Sequence, residues 1–229
     1  IHAVEGAEVT VKNCTNANGD MIDLINVHET SVVVLDDEVI QNVAKIGDTY
    51  YRTLREALVA CQAGETVVQL ADVDLGGAEW EPVEFKGNFD GQTYKISNLV
   101  VNKPGVSDVG LFSKTSGKEI KNLTIENAKV TGRLNVGVVA GTPWTTQYTN
   151  IKVTGDVIVE GFSYVGGVGG KNAYANWNNI TVDVNEGSYV KANSVNAEGV
   201  AYRTYVGGVI GFMGEGTHSV ENVTSNIDV

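Results

Sequence analysis

Two short patterns take turns along this chain, and their spacing restricts it to a stack of similar coils. The first places asparagine after a large apolar residue and a polar one, then alternates apolar and polar residues. It occurs as ISNLVV (96–101), IKNLTI (120–125), YTNIKV (148–153), WNNITV (177–182) and VENVTS (220–225). The second is a glycine-rich strand: VGLFS (109–113), VGVVAG (136–141), VGGVGG (165–170) and VGGVIG (206–211). From Asn98, Asn122, Asn150 and Asn179 to the next Gly110, Gly137, Gly166 and Gly207 takes 12, 15, 16 and 28 residues. From each of those glycines to the following motif asparagine takes 12, 13, 13 and 15. The long interval holds an insertion around residues 186–201. Windows such as NLTIENAKVTG alternate with a period of two and are rich in Val, Ile and Thr, which selects strands over helices. A fixed repeat of this size built from short strands is the signature of a solenoid.

Each repeat is therefore read as one coil of a parallel β-helix. Two strands per coil are explicit, and a third is expected in AKVTG (128–132), DVIVEG (156–161) and SYVKA (188–192). Coils stacked about 4.8 Å apart place equivalent residues above one another. Ile96, Ile120, Tyr148, Trp177 and Val220, each two before a motif asparagine, then form an interior column, and the asparagines form a ladder that satisfies turn backbone.

The pattern changes once. Leu54, Ala57, Leu58 and Cys61 fall on one helical face, Thr53 and Glu56 make a capping box, and Gly64 marks a stop. A short amphipathic helix near residues 53–63 is thus expected to cover the end of the stack, with the strand TVVQL (66–70) after it. Cys61 on its buried face reads as a packing thiol; whether it bonds Cys14 stays open. Residues 1–42 carry strand-like runs EVTVKNC (8–14), MIDLINV (21–27) and SVVVLDD (31–37), read as the end of a preceding module. The organisation expected is 1–42 preceding strands, 43–75 helix-strand cap and 76–229 repeats. The last repeat, VENVTSNIDV, has no closing cap, and the chain reads as part of a longer multidomain protein.

The stretch WEPVEFKGNFDGQTYKISNLVV (80–101) resembles bacterial surface proteins carrying the GLUG motif, through Phe85, Gly87, Phe89-Asp90-Gly91 and Ile96-Ser97-Asn98-Leu99. The VGGVIG-type strands resemble the glycine-rich motif that names that family. AKIGDTYYRTLREALVACQAGETVVQLADV (44–73) is similar to a segment that precedes repeat modules in large secreted proteins of gut bacteria. The resemblance spans residues 43–229. It implies a mainly β protein, a right-handed parallel β-helix or pectate-lyase-like solenoid, at an extracellular or cell-surface location, of a kind mostly described as adhesins. Some IgA-cleaving zinc metallopeptidases carry the same repeats. Their chemistry does not transfer, because HETSV (28–32) lacks the second histidine that a zinc-binding His-Glu-x-x-His needs at Val32.

Other chemistries fare no better. Gly170-Lys171 is followed by Asn172 and preceded at five residues by Val165, so the P-loop pattern fails. Gly161-Phe162-Ser163-Tyr164 leads into Val165, so no nucleophile elbow exists. His2, His28 and His218 are scattered, and no cofactor is expected. A net charge of −12 without a basic run argues against nucleic acid, and no apolar run is long enough to span a membrane. The sequons at Asn13, Asn122, Asn179 and Asn222 follow from the repeat. The enzymatic alternative is a carbohydrate-active lyase or hydrolase, since β-helices host sugar-cleaving sites, but such an enzyme needs clustered carboxylates. Aromatic residues give the one binding hint: Trp144, Tyr148, Tyr174 and Trp177 precede two motif asparagines, and Tyr164 and Tyr205 precede the VGG strands. Tyr148 and Trp177 hold the interior position named above, leaving Trp144 and Tyr174 as the outward pair. The expected role is non-catalytic binding of a glycan or of a host or matrix protein, with a purely structural spacer as a further alternative.

Overall fold

The computed structural model describes residues 2–3, 8–11, 26–27, 32–35, 38–193, 195, 199, 201, 203–214 and 216–229. Val, Ile and Thr alternating with polar residues give short strands, and these stack in parallel as a β-solenoid of about four turns. Phe89 lies in register with Ile120, Ile120 with Tyr148, Tyr148 with Trp177 and Trp177 with Val220. The last three steps span 28, 29 and 43 residues. Most of the excess in the third step lies between Ala192, in register with Gly161, and Val206, in register with Val165. This begins a little later than the interval expected from spacing.

The third expected strand is present, and a coil holds more strand than three segments. Glu119–Thr131 and Gln147–Gly161 run unbroken through two bends, so AKVTG and DVIVEG continue the asparagine strand. Tyr189–Ala192 pairs with the end of Gln147–Gly161. The last three glycine-rich stretches each divide into two strands, while VGLFS gives one strand and an isolated bridge from Val109 to Val136. Leu134–Gly137, Ser163–Gly166 and Val206–Gly207 form one sheet. Val83–Phe85, Phe112–Thr115, Ala140–Pro143, Gly169–Asn172 and Ile210–Met213 form the next, here called the glycine-arm sheet.

Bends between strands are made by residues in the left-handed region, which asparagine tolerates better than most. At the first corner Asn122, Asn150, Asn179 and Asn222 have φ of 52, 56, 57 and 53°. Asn179 donates its amide to Asn150 Oδ1 (2.8 Å), Asn150 to Asn122 Oδ1 (3.0 Å) and Asn122 to Asp90 Oδ1 (2.9 Å). The top rung departs, with Asn222 donating to Asn178. These bonds join side chain to side chain, each amide reaching its neighbour as expected of the ladder.

Asn98 does not belong to this column. Ser97 and Leu99 are in register with Glu126 and Ala128, so Asn98 stacks on Asn127 at a second corner. Ile96 likewise stacks on Ile125, and Phe89 takes the place below Ile120. Asn127 donates to Asn98 Oδ1 and Asn98 to Asp74 Oδ1 (2.8 Å). A third corner pairs Asn135 with Asp108 Oδ1 (2.7 Å). All three ladders therefore run down to an aspartate. The direction of donation favours this: the lowest member must accept, and an ionised carboxylate, unlike an amide, leaves no N–H in need of a further acceptor.

The glycines serve close approach. A Cβ on Gly141 would overlap the Asp108–Val109 backbone, one on Gly170 the Asn135–Val136 backbone, and one on Gly211 the Tyr164–Val165 backbone. None of the three has positive φ, so it is space and not backbone conformation that demands glycine. Nearby N–H groups are spent between coils, as in Gly137 to Val109 O, Gly167 to Gly207 O and Gly169 to Val209 O. Donors used this way are not free to cradle a phosphate.

The interior is a continuous column that includes Phe85, Phe112, Ile120, Tyr148 and Trp177. At its lower end the helix Leu54–Ala60 buries Leu54, Ala57 and Leu58. Thr53 caps it by accepting from the Glu56 N–H (3.2 Å). The helix stops short of Gly64 because Cys61 turns to extended backbone. A hairpin of Ala44–Ile46 and Thr49–Tyr51 pairs antiparallel with Thr66–Gln69 and closes that sheet edge. Cys61 is a free, buried thiol, and burial foremost pushes its pKa up to about 11; Cys14 lies outside the described residues. Of the N-terminal runs, Glu8–Val11, Val32–Leu35 and Glu38–Gln41 form a separate small sheet. Asn26–Val27 is a strand, and the rest of MIDLINV lies outside the described residues.

Candidate functional site

Register decides where each aromatic residue falls. Tyr148 and Trp177 occupy neighbouring rungs of the interior column, stacked at 4.1 Å and 6° with no exposed surface. The Tyr148 hydroxyl shares a hydrogen bond of 2.6 Å with Thr115 Oγ1. Burial holds its pKa far above the usual tyrosine range, and the Thr115 bond only partly offsets this. Neither ring offers a face to a ligand.

The other four stand outside, along the two margins of the glycine-arm sheet. Trp144 directly follows Ala140–Pro143, and Tyr174 follows Gly169–Asn172. Their rings meet edge-on at 5.6 Å and 72°, with 38% and 47% of each residue exposed. Tyr164 and Tyr205 stack at 5.2 Å and 5°, and Phe212 meets both edge-on. Between the margins runs a column of Lys114, Thr142, Lys171 and Phe212, aligned by strand register, in which Thr142 is buried and the other three are half-buried. Lys114 Nζ lies 4.5 Å over the Trp144 ring and Lys171 Nζ 5.4 Å over Tyr164.

Tyr164 and Tyr174 have φ of 55 and 71°. Among the described residues, the other non-glycine positions with positive φ are all Asn, Asp or Gln. An aromatic side chain in this region strains the backbone by roughly 1–3 kcal/mol, and such strain concentrates at functional positions. The sequence pointed to the aromatics but missed Lys114, Lys171 and Phe212. Counting along from the glycines would have aligned Lys171 with Phe212. Lys114 was hidden by a one-residue difference, since Val109 to Phe112 is one step shorter than Val136 to Ala140.

Carboxylates are arranged differently. A shallow groove of about 580 Å³ follows the second corner, with Asp74 and Asp156 at its ends and Asn98 and Asn127 between them. Three coil steps of about 4.8 Å separate the two acids by roughly 14 Å, beyond the ~5–9.5 Å of glycosidase pairs. Asp74 is held below the usual carboxylate range by the Asn98 amide and then by the Gly76 N–H, which is the behaviour of a ladder base. Elsewhere Glu126 pairs with Lys95 (2.8 Å), Glu119 with Lys121 (3.0 Å) and Glu81 with Lys103 (2.7 Å). A hollow of about 930 Å³ beside the helix is lined by Tyr50, Tyr51, Arg52, Arg55, Glu56 and Val59, among others. Its lining includes one carboxylate, Glu56.

Over 109 aligned residues the chain is 42% identical to halomucin of Haloquadratum walsbyi (strain DSM 16790 / HBSQ001). The match covers 44% of this chain and 1% of halomucin, so the chain spans a very small part of that protein. No protein-family model matches the chain, and no solved structure matches it. No helix among the described residues is long and apolar enough to cross a membrane.

Proposed function

We propose that this chain is a non-catalytic module of a cell-surface or secreted protein, a GLUG-type repeat adhesin, that binds a glycan or a host or matrix protein. The observation that carries the reading is the outward Trp144–Tyr174 pair, exposed while the neighbouring Tyr148–Trp177 pair fills the interior. An exposed indole and phenol give a flat apolar surface with polar edges, suited to the face of a sugar ring or an interface anchor. Similarity to halomucin, a protein named as a mucin, supports a cell-surface setting. Carboxylates taken up by lysines and ladder amides support display over hydrolysis. In this reading residues 76–229 are the display module and 43–75 its cap.

Screening the chain on glycan and matrix-protein arrays, beside Trp144→Ala and Tyr174→Ala, tests this. We expect a hit that both substitutions abolish. Binding that survives both would remove the aromatic pair from the function.

A further inference from the structure

Resting on that reading, we infer that the glycine-arm face selects an anionic glycan, one bearing carboxylate or sulfate groups. The two lysines of its register column carry the argument. Lys114 and Lys171 each lie over an aromatic ring and, among the described residues, neither has a carboxylate partner. Lys86, Lys95, Lys103 and Lys121 sit against Asp or Glu. Lys118, Lys129, Lys152 and Lys191 show neither a carboxylate nor a ring partner among the described residues, so the ring contact is what marks Lys114 and Lys171.

Two acids lie near the column, and each is engaged by other groups while keeping its charge. Glu84 is in register with Lys114, but its carboxylate pairs with Lys86 at 3.5 Å. Asp108 accepts hydrogen bonds from Asn135 and Thr142. Two ammonium groups thus stand two coils apart, roughly 10 Å along the stack, on the outside of a molecule whose net charge is −12. An ammonium over a ring face keeps donors free while the ring orients it. Trp144 and Tyr174 then supply an exposed aromatic surface beside Lys114, and the half-buried Tyr164 and Phe212 flank Lys171.

Such an arrangement fits a chain of sugar rings with regularly spaced negative groups: rings on aromatics, acids on lysines. A neutral glycan would use the rings and leave both ammonium groups without partners. The overall negative charge makes the inference sharper. A polyanion is repelled by the molecule as a whole, so its binding must come from a local site.

The test uses the whole chain and two matched polymer pairs: polygalacturonate against its fully methyl-esterified form, and dextran sulfate against dextran. Affinities are measured by calorimetry with melting midpoints in parallel, for wild type, Lys114→Gln, Lys171→Gln and Trp144→Ala. We expect at least one charged polymer to bind roughly tenfold or more tightly than its uncharged partner. We expect each lysine variant to lose roughly tenfold at unchanged midpoint, as for a charge-assisted contact. If charged and uncharged forms bind alike and only Trp144→Ala weakens them, charge selection is wrong and the aromatic reading stands. If binding to charged polymer survives all three substitutions, both are wrong. If none of the polymers binds, the inference is overturned.

Discussion

Tyr148–Trp177 and Tyr164–Tyr205 are two aromatic stacks of nearly equal geometry, one inside the solenoid and one on its surface. Ring planes lie within 6° and 5° of parallel, at 4.1 and 5.2 Å. Both arise because coil register places like residues on adjacent rungs. Stacking alone therefore says nothing about a ligand in this fold. What separates the outer aromatics is solvent exposure, the left-handed backbone of Tyr164 and Tyr174, and the two lysines laid over the rings.

The largest effect should come from breaking the inner stack. Trp177→Ala should destabilise the chain by about 3–5 kcal/mol in urea unfolding. Trp177→Phe keeps a ring and deletes a buried Nε1–H that has no hydrogen-bond partner, so it should cost much less. Comparable losses for both would mean that shape at this rung, and not burial, dominates.

Next comes the glycine arm. Gly170→Ala forces a Cβ into the Asn135–Val136 backbone and should cost about 1–3 kcal/mol. Gly105→Ala, which meets nothing within 4 Å, should be nearly neutral; equal effects would refute the close-packing explanation.

A smaller effect belongs to the first corner. Asn150→Ala loses two ladder bonds and puts alanine at φ 56°, for about 1–2 kcal/mol. Asn150→Gly relieves the backbone but not the amides, so the difference between the two variants divides strain from hydrogen bonding.

The smallest involves alkaline pH. Cys61 holds its proton to about 11 when folded, against 9.0 for the unperturbed thiol. The folded chain therefore binds more protons between these values, and stability present below pH 9 declines as pH rises toward 11. Lys95, Lys103 and Lys121, raised foremost by hydrogen bonds to Glu126, Glu81 and Glu119, act in the same sense higher up. Cys61→Val should flatten the lower part of that decline in urea midpoints measured against pH; an unchanged slope would show that the thiol is not its source.

Much of the fold could be read because strand alternation is local in sequence and the motifs recur at nearly regular intervals. Ile120, Tyr148, Trp177 and Val220 share one column, as their offset from asparagine implied. Asn98 was misplaced because one coil carries left-handed asparagines at two corners, as Asn122 and Asn127 show. A local ISNL cannot say which corner it occupies. Gly91 in place of asparagine and the extra residues around Gln92–Tyr94 hid the true counterpart of Asn122. Of the candidate site, Trp144, Tyr174, Tyr164 and Tyr205 were picked out from the sequence and Phe212 was not. Lys114 and Lys171 were missed as well, because side chains from coils far apart in sequence become neighbours only through stacking.

The division between an inner set that makes the fold and an outer set that makes the contact is tested most directly by Trp144→Ala. Its melting midpoint and its binding to the best glycan from the array should be measured on the same sample. The account predicts a midpoint within roughly 2 °C of wild type and loss of binding. Intact binding, or loss of binding only together with loss of the fold, would contradict it.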